Sequence, residues 1–149
     1  MGSHYDGTEE QVRALGTFIK LVRAAETVVA STSAHLAESG ITTAQFGVLE
    51  ALYHLGPMRL SDLAVKHLRT TGTLTIVVDN LVKNGLVERR PSPTDRRSIV
   101  VHLTEAGRTA IDAIFPAHVD LVVEAMSALS AEEQLELGRL CKKLGLRTT

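Results

Sequence analysis

The chain has 149 residues, enough for one domain with a sizeable core or for two closely joined lobes. It has no Trp and only 3% aromatic residues, so Leu, Val, Ile and Ala must build the core, which favours packed helices. The longest apolar runs are too short to cross a bilayer and no signal-peptide pattern is present, so we expect a soluble, cytoplasmic protein without a membrane partner.

The formal net charge of −1 hides an uneven distribution of charge. Residues 57–103 carry a net charge of +4, whereas residues 1–56 and 104–149 carry −3 and −2. Because phosphate neutralisation is local, a basic middle segment suits a DNA-binding protein even when the whole chain is slightly acidic. A chance imbalance of a few charges is the plainer alternative.

The first predicted elements are a long helix over residues 8–38, ended by Gly40, and a shorter helix over residues 44–54. Thr42 supplies a hydroxyl where the second helix needs an N-cap, and Gly56-Pro57 breaks that helix. Ala, Ser and Thr interrupt the apolar pattern of the long helix and would let another helix come close. We therefore expect a partner surface along it.

Two short helices joined by a tight turn have the pattern of a helix-turn-helix: the first covers residues 60–68, and the second starts at about Thr70 and runs through Leu81 towards Gly85. The second helix has one apolar face at helical spacing, made of Leu74, Val77, Val78 and Leu81. The opposite face carries hydroxyl groups and almost no charge, whereas an ordinary solvated face would carry several Glu and Lys. Such a short-chained face can approach another surface closely.

The chemistry of this face allows roles to be assigned in DNA binding. The threonines that open the helix lie where free amides favour a phosphate, although they could serve only as helix caps. Thr73 and Thr75 can form hydrogen bonds with base edges or phosphates, and Ile76 can touch a thymine methyl. Asn80 and Lys83 can reach phosphates. The predicted contact residues are Thr70, Thr71, Thr73, Thr75, Ile76, Asn80 and Lys83.

A basic β-hairpin is predicted directly after this helix. Gly85 is placed as the helix C-cap, residues 86–90 and 98–103 have strand patterns, and the turn over residues 91–97 holds two prolines and two adjacent arginines. A close-approach helix joined to a basic hairpin is typical of a winged helix-turn-helix, in which the hairpin follows the DNA backbone or enters a minor groove.

The hairpin and the helix start after it resemble the wing signature of the MarR (multiple antibiotic resistance regulator) family. The residues that carry the resemblance are Gly85-Leu86-Val87-Glu88-Arg89, Asp95-Arg96-Arg97 and Val101-His102-Leu103-Thr104-Glu105-Ala106-Gly107. The resemblance implies a mainly α fold with a small β-hairpin. It also implies a DNA-binding transcriptional regulator, most often a repressor.

The resemblance further implies that Asp95 pairs with Arg97 and that Arg96 or Arg97 enters the minor groove, where a narrow groove attracts arginine. The alternative for this pair is an exposed salt bridge worth roughly 0–1 kcal/mol. Many relatives carry a polar or basic residue where Ile76 stands, so the base preference stays open. No arginine lies on the central helix face, so discrimination is expected to depend on DNA shape and the wing.

Two helices are predicted after the hairpin. Thr104 caps the first, which should kink or restart at Pro116, and residues 130–133 form a capping box that opens the last.

The resemblance implies three parts: an N-terminal dimerisation helix over residues 1–40, a winged helix-turn-helix over residues 41–103, and C-terminal dimerisation helices over residues 104–149. A symmetric dimer would then bind a pseudo-palindromic operator.

Release from DNA by a small phenolic or other aromatic effector, or by thiol oxidation, is also implied by the resemblance. The binding site for such an effector could be lined by Phe46, Tyr53, His54, Phe115 and His118. Ordinary core packing would also explain this set of residues. The single cysteine, Cys141, is expected to be a small buried apolar residue and is a poor redox sensor.

An enzyme is not expected. The six histidines have no metal-ligand spacing, and there is no Gly-rich phosphate loop or nucleophile elbow, so no metal or cofactor is predicted. The remaining alternative is a winged-helix module that binds proteins instead of DNA. The arginines of the hairpin argue against it. The expected partners are double-stranded DNA, a second copy of the chain and an aromatic effector.

Overall fold

The computed structural model describes residues 4–67 and 71–146. Within these residues it has a mainly helical fold with a small antiparallel sheet, as the sequence predicted. No single described helix is long and apolar enough to cross a bilayer, although the last two helices taken together pass that test of length and composition. The helices are α1 (Glu9–Glu38), α2 (Thr43–Leu55), α3 (Leu60–Lys66), α4 (Thr71–Lys83), α5 (Glu105–Met126) and α6 (Ala131–Leu146), and the strands are β1 (Met58–Arg59), β2 (Val87–Pro91) and β3 (Ile99–Leu103).

Capping boxes begin α2 and α6, at the positions where the sequence placed an N-cap and a capping box. The Thr42 hydroxyl accepts from the Gln45 amide at 3.1 Å, and the Gln45 side chain accepts from the Thr42 amide at 3.0 Å. Ser130 and Glu133 make the same reciprocal pair, at 3.2 and 2.8 Å. Both helix starts are therefore fixed by local sequence.

The sheet has the order β1-β3-β2, with β2 and β3 forming the predicted hairpin. Sequence patterns missed β1, which pairs Met58 with Val101 and Arg59 with Val100. Two residues are too few to show the alternation that marks a strand. This strand joins the segment before α3 to the hairpin.

The expected restart at Pro116 does not occur, because α5 runs without a break from Glu105 to Met126. Pro116 has no backbone N–H, so it cannot donate a hydrogen bond to the carbonyl of Asp112, four residues earlier. Both residues are exposed. Water can satisfy that carbonyl, so the helix continues.

The chain divides into two compact units. One runs from Ser33 to His118, and the other combines the described residues up to Thr32 with those from Val119 onward. Every apolar side chain that is buried among the described residues belongs to the first unit. The largest fully buried members of this core are Leu36, Leu49, Leu52, Leu63, Leu74, Leu81, Ile111, Val48, Val78, Val87 and Val101.

The second unit has helices with exposed apolar faces. Among its described residues, only the polar Thr32 is buried. Cys141 is exposed, so the prediction that it is buried is wrong for the single chain: α6 has the expected apolar spacing but no buried residue. The larger apolar side chains left exposed are Tyr5, Val12, Phe18, Val22, Val29, Val119, Val123, Leu135, Leu137, Leu140, Leu144 and Leu146.

A tight junction joins the end of α4 to the start of α5. Gly85 has φ of 74°, which lets the Leu86 amide donate to the Leu81 carbonyl at 2.9 Å and close α4. The Thr104 hydroxyl donates to the Gly85 carbonyl at 2.7 Å and accepts from the Gly107 amide at 3.0 Å. A Cβ on Gly107 would lie 2.0 Å from the Leu86 carbonyl oxygen. These contacts explain the spacing of Gly85, Thr104 and Gly107.

We predict that Gly107→Ala destabilises the protein by about 3 kcal/mol or more, because the added methyl group overlaps backbone that cannot move aside easily. Gly138→Ala is the matched control, because nothing lies within 4 Å of its Cβ position in α6. That change should stabilise the helix by about 0.5–1 kcal/mol. Urea denaturation of both variants measures the difference, and equal stabilities would contradict the close contact.

Candidate nucleic-acid interface

Helix α4 buries one face and exposes the other. Leu74, Val78 and Leu81 are each at most 1% exposed, and the helix packs on α2, α3 and β2. Of the predicted DNA-contacting residues of this helix, Thr75 is partly exposed and Thr70, with Leu68 and Arg69 before it, lies outside the described residues. The exposed ones are Thr71, Thr73, Ile76, Asn80 and Lys83.

The Thr75 hydroxyl already has a partner within the helix. It donates to the Thr71 carbonyl at 2.8 Å, which leaves its oxygen able to accept a hydrogen bond. Ile76 stands 64% exposed in the middle of the face, where a solvated helix would normally carry a polar residue. A surface of hydroxyls around one apolar side chain fits contact with a groove better than contact with water.

The register of the hairpin decides which way its arginines point. Val87 is buried, and Arg89, two residues later, lies on the same face of the edge strand β2 and forms an ion pair with Asp79 of α4. Glu88 and Arg90 share the opposite face and pair with each other. Both arginines therefore have a carboxylate partner in the structure.

At the hairpin tip, Asp95 holds the turn. Its carboxylate accepts from the Arg97 backbone amide at 3.0 Å and from the Ser98 hydroxyl at 3.2 Å. The implied pairing of Asp95 with Arg97 is thus made through the backbone, and none of the salt bridges between described residues joins the two side chains. A turn contact two residues away satisfies the carboxylate locally and leaves the side chains of Arg96 and Arg97 exposed to solvent.

The side chains predicted to line an effector site lie together in the structure. The Phe46 ring is 4.5 Å from His118 and 6.5 Å from Phe115, and His54 is 4.9 Å from Phe115. Tyr53 lies beside them, 5.0 Å from His54. The five residues, from α2 and α5, therefore form one cluster of rings.

Sequence reasoning missed a further member of this cluster, His35 of α1, whose ring stacks on His118 at 5.4 Å. Both ring nitrogens of His35 and Nδ1 of His118 are buried, and they have no hydrogen-bond partner among the described residues. A lone histidine on a long helix gives no local signal of such a contact, because its partner is 83 positions away in the chain.

Tyr53 is held at one edge of the cluster by α5. Its hydroxyl donates to the Asp112 carboxylate at 2.6 Å, and the Arg108 guanidinium lies 5.5 Å from the ring centre. The hydrogen bond to Asp112 raises the pKa of Tyr53 above its usual value, with the negative charge of that carboxylate as a second cause. The phenol therefore stays protonated and fixed as a donor.

No metal site is found in residues 4–67 and 71–146, where no three His, Cys, Asp or Glu side chains are grouped as ligands.

Comparison with known proteins agrees with this geometry. Residues 41–99 match the model of the MarR family. The chain is 36% identical over 140 residues to the HTH-type transcriptional regulator YkoM of Bacillus subtilis (strain 168), a match that covers 94% of this chain and 91% of that protein.

Two solved structures are similar over most of their length. A cysteine-to-serine variant of MarR from E. coli, complexed with operator DNA, is 28% identical with a TM-score of 0.78, covering 93% of this chain and 99% of that one. BpsR of Bordetella bronchiseptica, whose DNA binding is regulated by 6-hydroxynicotinic acid, is 27% identical with a TM-score of 0.77, covering 86% of this chain and 97% of that one.

We predict that Arg96→Ala with Arg97→Ala lowers the affinity for duplex DNA and reduces the slope of log affinity against log salt by about two, because fewer counterions are released. Lys142→Ala with Lys143→Ala removes the same charge from α6 and should leave the slope unchanged. Fluorescence anisotropy across a salt series measures both. An unchanged slope in the first variant would show that the hairpin tip does not touch DNA.

Proposed function

The chain belongs to the MarR family and is a DNA-binding transcriptional regulator, not an enzyme; from this premise we propose that it is a repressor, binds a pseudo-palindromic operator as a homodimer, and leaves it when a small aromatic effector binds. The observation that carries the proposal is the pair of outward features in one compact unit: the lightly charged face of α4 and the exposed arginines at the hairpin tip. In a winged helix these elements contact the major groove and the adjacent backbone or minor groove.

Roles on the interface follow from exposure and chemistry. Thr71 lies at the helix start, where backbone amides favour a phosphate, and Thr73 and Ile76 stand on the exposed face for contact with base edges. Asn80 and Lys83 lie one and two turns further on, where the helix would leave the groove and meet the backbone.

The proposed homodimer rests on the second unit. Exposed apolar side chains recur along α1 and α6, and Phe18, Leu135 and Leu144 are 60%, 77% and 52% exposed. Monomeric soluble proteins rarely leave such continuous apolar faces in water. We infer that the partner is a second copy of the chain, because a symmetric contact would cover the exposed apolar side chains of α1 and α6 in both copies. Binding to adjacent half-sites would require the two α4 helices of this dimer to lie about 34 Å apart, one turn of DNA.

We predict that DNase protection of the DNA upstream of the gene shows two half-sites about 10 base pairs apart, centre to centre. Leu135→Glu with Leu144→Glu should give a monomer in sedimentation. It should also abolish protection at nanomolar protein, because a single winged helix binds one half-site weakly. Leu55→Glu, on an exposed apolar residue of the other unit, is the control and should remain dimeric. A dimeric Leu135/Leu144 variant would place the interface elsewhere.

The proposed effector site is the ring cluster around His118. An aromatic molecule that entered between these rings could pack on their faces, and the buried nitrogens of His35 and His118 offer hydrogen bonds for its polar substituent. Buried polar groups without partners cost about 1–3 kcal/mol each, which a hydroxyl-bearing ligand would recover. That the similar BpsR is regulated by a hydroxylated aromatic acid supports the same ligand class here.

We predict that a phenol or hydroxylated aromatic acid raises the melting temperature and releases operator DNA, whereas the matched ring without a hydroxyl does neither. His118→Phe keeps the stacking but removes the ring nitrogens, so it should weaken the response about tenfold. Thermal shift and operator release against a panel that includes 6-hydroxynicotinic acid measure both effects. If no compound in the panel acts, the ring cluster is ordinary packing.

A further inference from the structure

One ion pair joins α4 to the hairpin. Arg89 of β2 pairs with Asp79 of α4, and the two side chains are 29% and 55% exposed. Because Arg89 lies on the same strand face as the buried Val87, its aliphatic stem covers the edge of the core while its guanidinium reaches the helix. The strand register therefore fixes this contact, and rotation of either element would break it.

The position of Asp79 is unusual for a carboxylate. At helical spacing Asp79 has four neighbours on the surface of α4, and three of them belong to the proposed DNA-contacting face. These three are Thr75, Ile76 and Lys83, and the fourth is Val82. An unpaired negative charge there would repel phosphates. Arg89 neutralises this charge through the ion pair.

We propose that the Asp79–Arg89 pair is a positioning pair that holds the hairpin at a fixed angle to α4, and so sets the offset between the helix face and the Arg96–Arg97 tip. This inference rests on the proposed function, since the offset matters only if both elements contact one duplex. The pair then contributes to the choice between operator and other DNA, and little to overall attraction.

The competing view is an ordinary surface salt bridge with no effect on DNA choice. The Glu88–Arg90 pair supplies the matched comparison, because it lies on the same hairpin, involves the same charges and joins no two elements. Glu88→Gln and Asp79→Asn each remove one negative charge and free one arginine. Because a lost charge changes the attraction to operator and to scrambled DNA alike, a difference between the two variants in operator preference reports geometry.

The first experiment uses no DNA. Amide hydrogen exchange in β2 and β3 should accelerate about fivefold in Asp79→Asn and in Arg89→Gln, because the hairpin loses its tie to the helix. Exchange should return towards the wild-type rate when the charges are swapped in Asp79→Arg with Arg89→Asp, and should not change in Glu88→Gln. Equal exchange in all variants would overturn the proposal.

The second experiment measures affinity for operator and for a scrambled duplex of the same length across a salt series. In Asp79→Asn we expect tighter binding to scrambled DNA, a salt slope steeper by about one, and an operator preference reduced about fivefold. In Glu88→Gln the preference should stay within about twofold of the wild type. An equal loss of preference in both would overturn the positioning role. If the wild-type protein binds neither duplex, the proposed function fails, while hydrogen exchange still decides whether the pair braces the hairpin.

Discussion

The burial of one face of α4 is the constraint on which the rest of the interface depends. Leu74, Val78 and Leu81 are almost completely removed from water, and each such side chain contributes about 1.5–3 kcal/mol to folding. Rotating α4 by a third of a turn would expose them, so the opposite face must point outward. The presentation of Ile76 and its neighbouring hydroxyls is therefore a consequence of core packing.

The sequence predicted the features that local rules govern. Apolar periodicity placed the helices, Thr42 and Ser130 marked two helix starts, and the strand patterns predicted the hairpin. Gly85 was correctly placed at the end of the helix before the hairpin. These predictions succeed because a helix cap or an alternating strand is encoded within a few neighbouring residues.

The features that could not be predicted depend on contacts between distant segments. β1 is recognisable only by its pairing with Val101, and the contact of His35 with His118 joins residues far apart in the chain. The partner of Arg89 also depended on the strand register, which sequence alone did not fix. Cys141 shows the reverse problem: its spacing was apolar, but the described residues of its own chain leave it exposed.

The junction at Gly107 holds the first turn of α5 in place. Its first turn is held against Leu86 and Gly85, at the end of α4, whereas Phe115 lies eight residues, or about 12 Å, further along the helix axis. A tilt of the α5 axis by about 5° about this junction would displace the Phe115 ring by about 1 Å, roughly the size of a side-chain shift. Because the first turn of α5 is held against the end of α4, a change in the tilt of α5 at the rings would strain the contacts of Thr104 and Gly107 with Gly85 and Leu86.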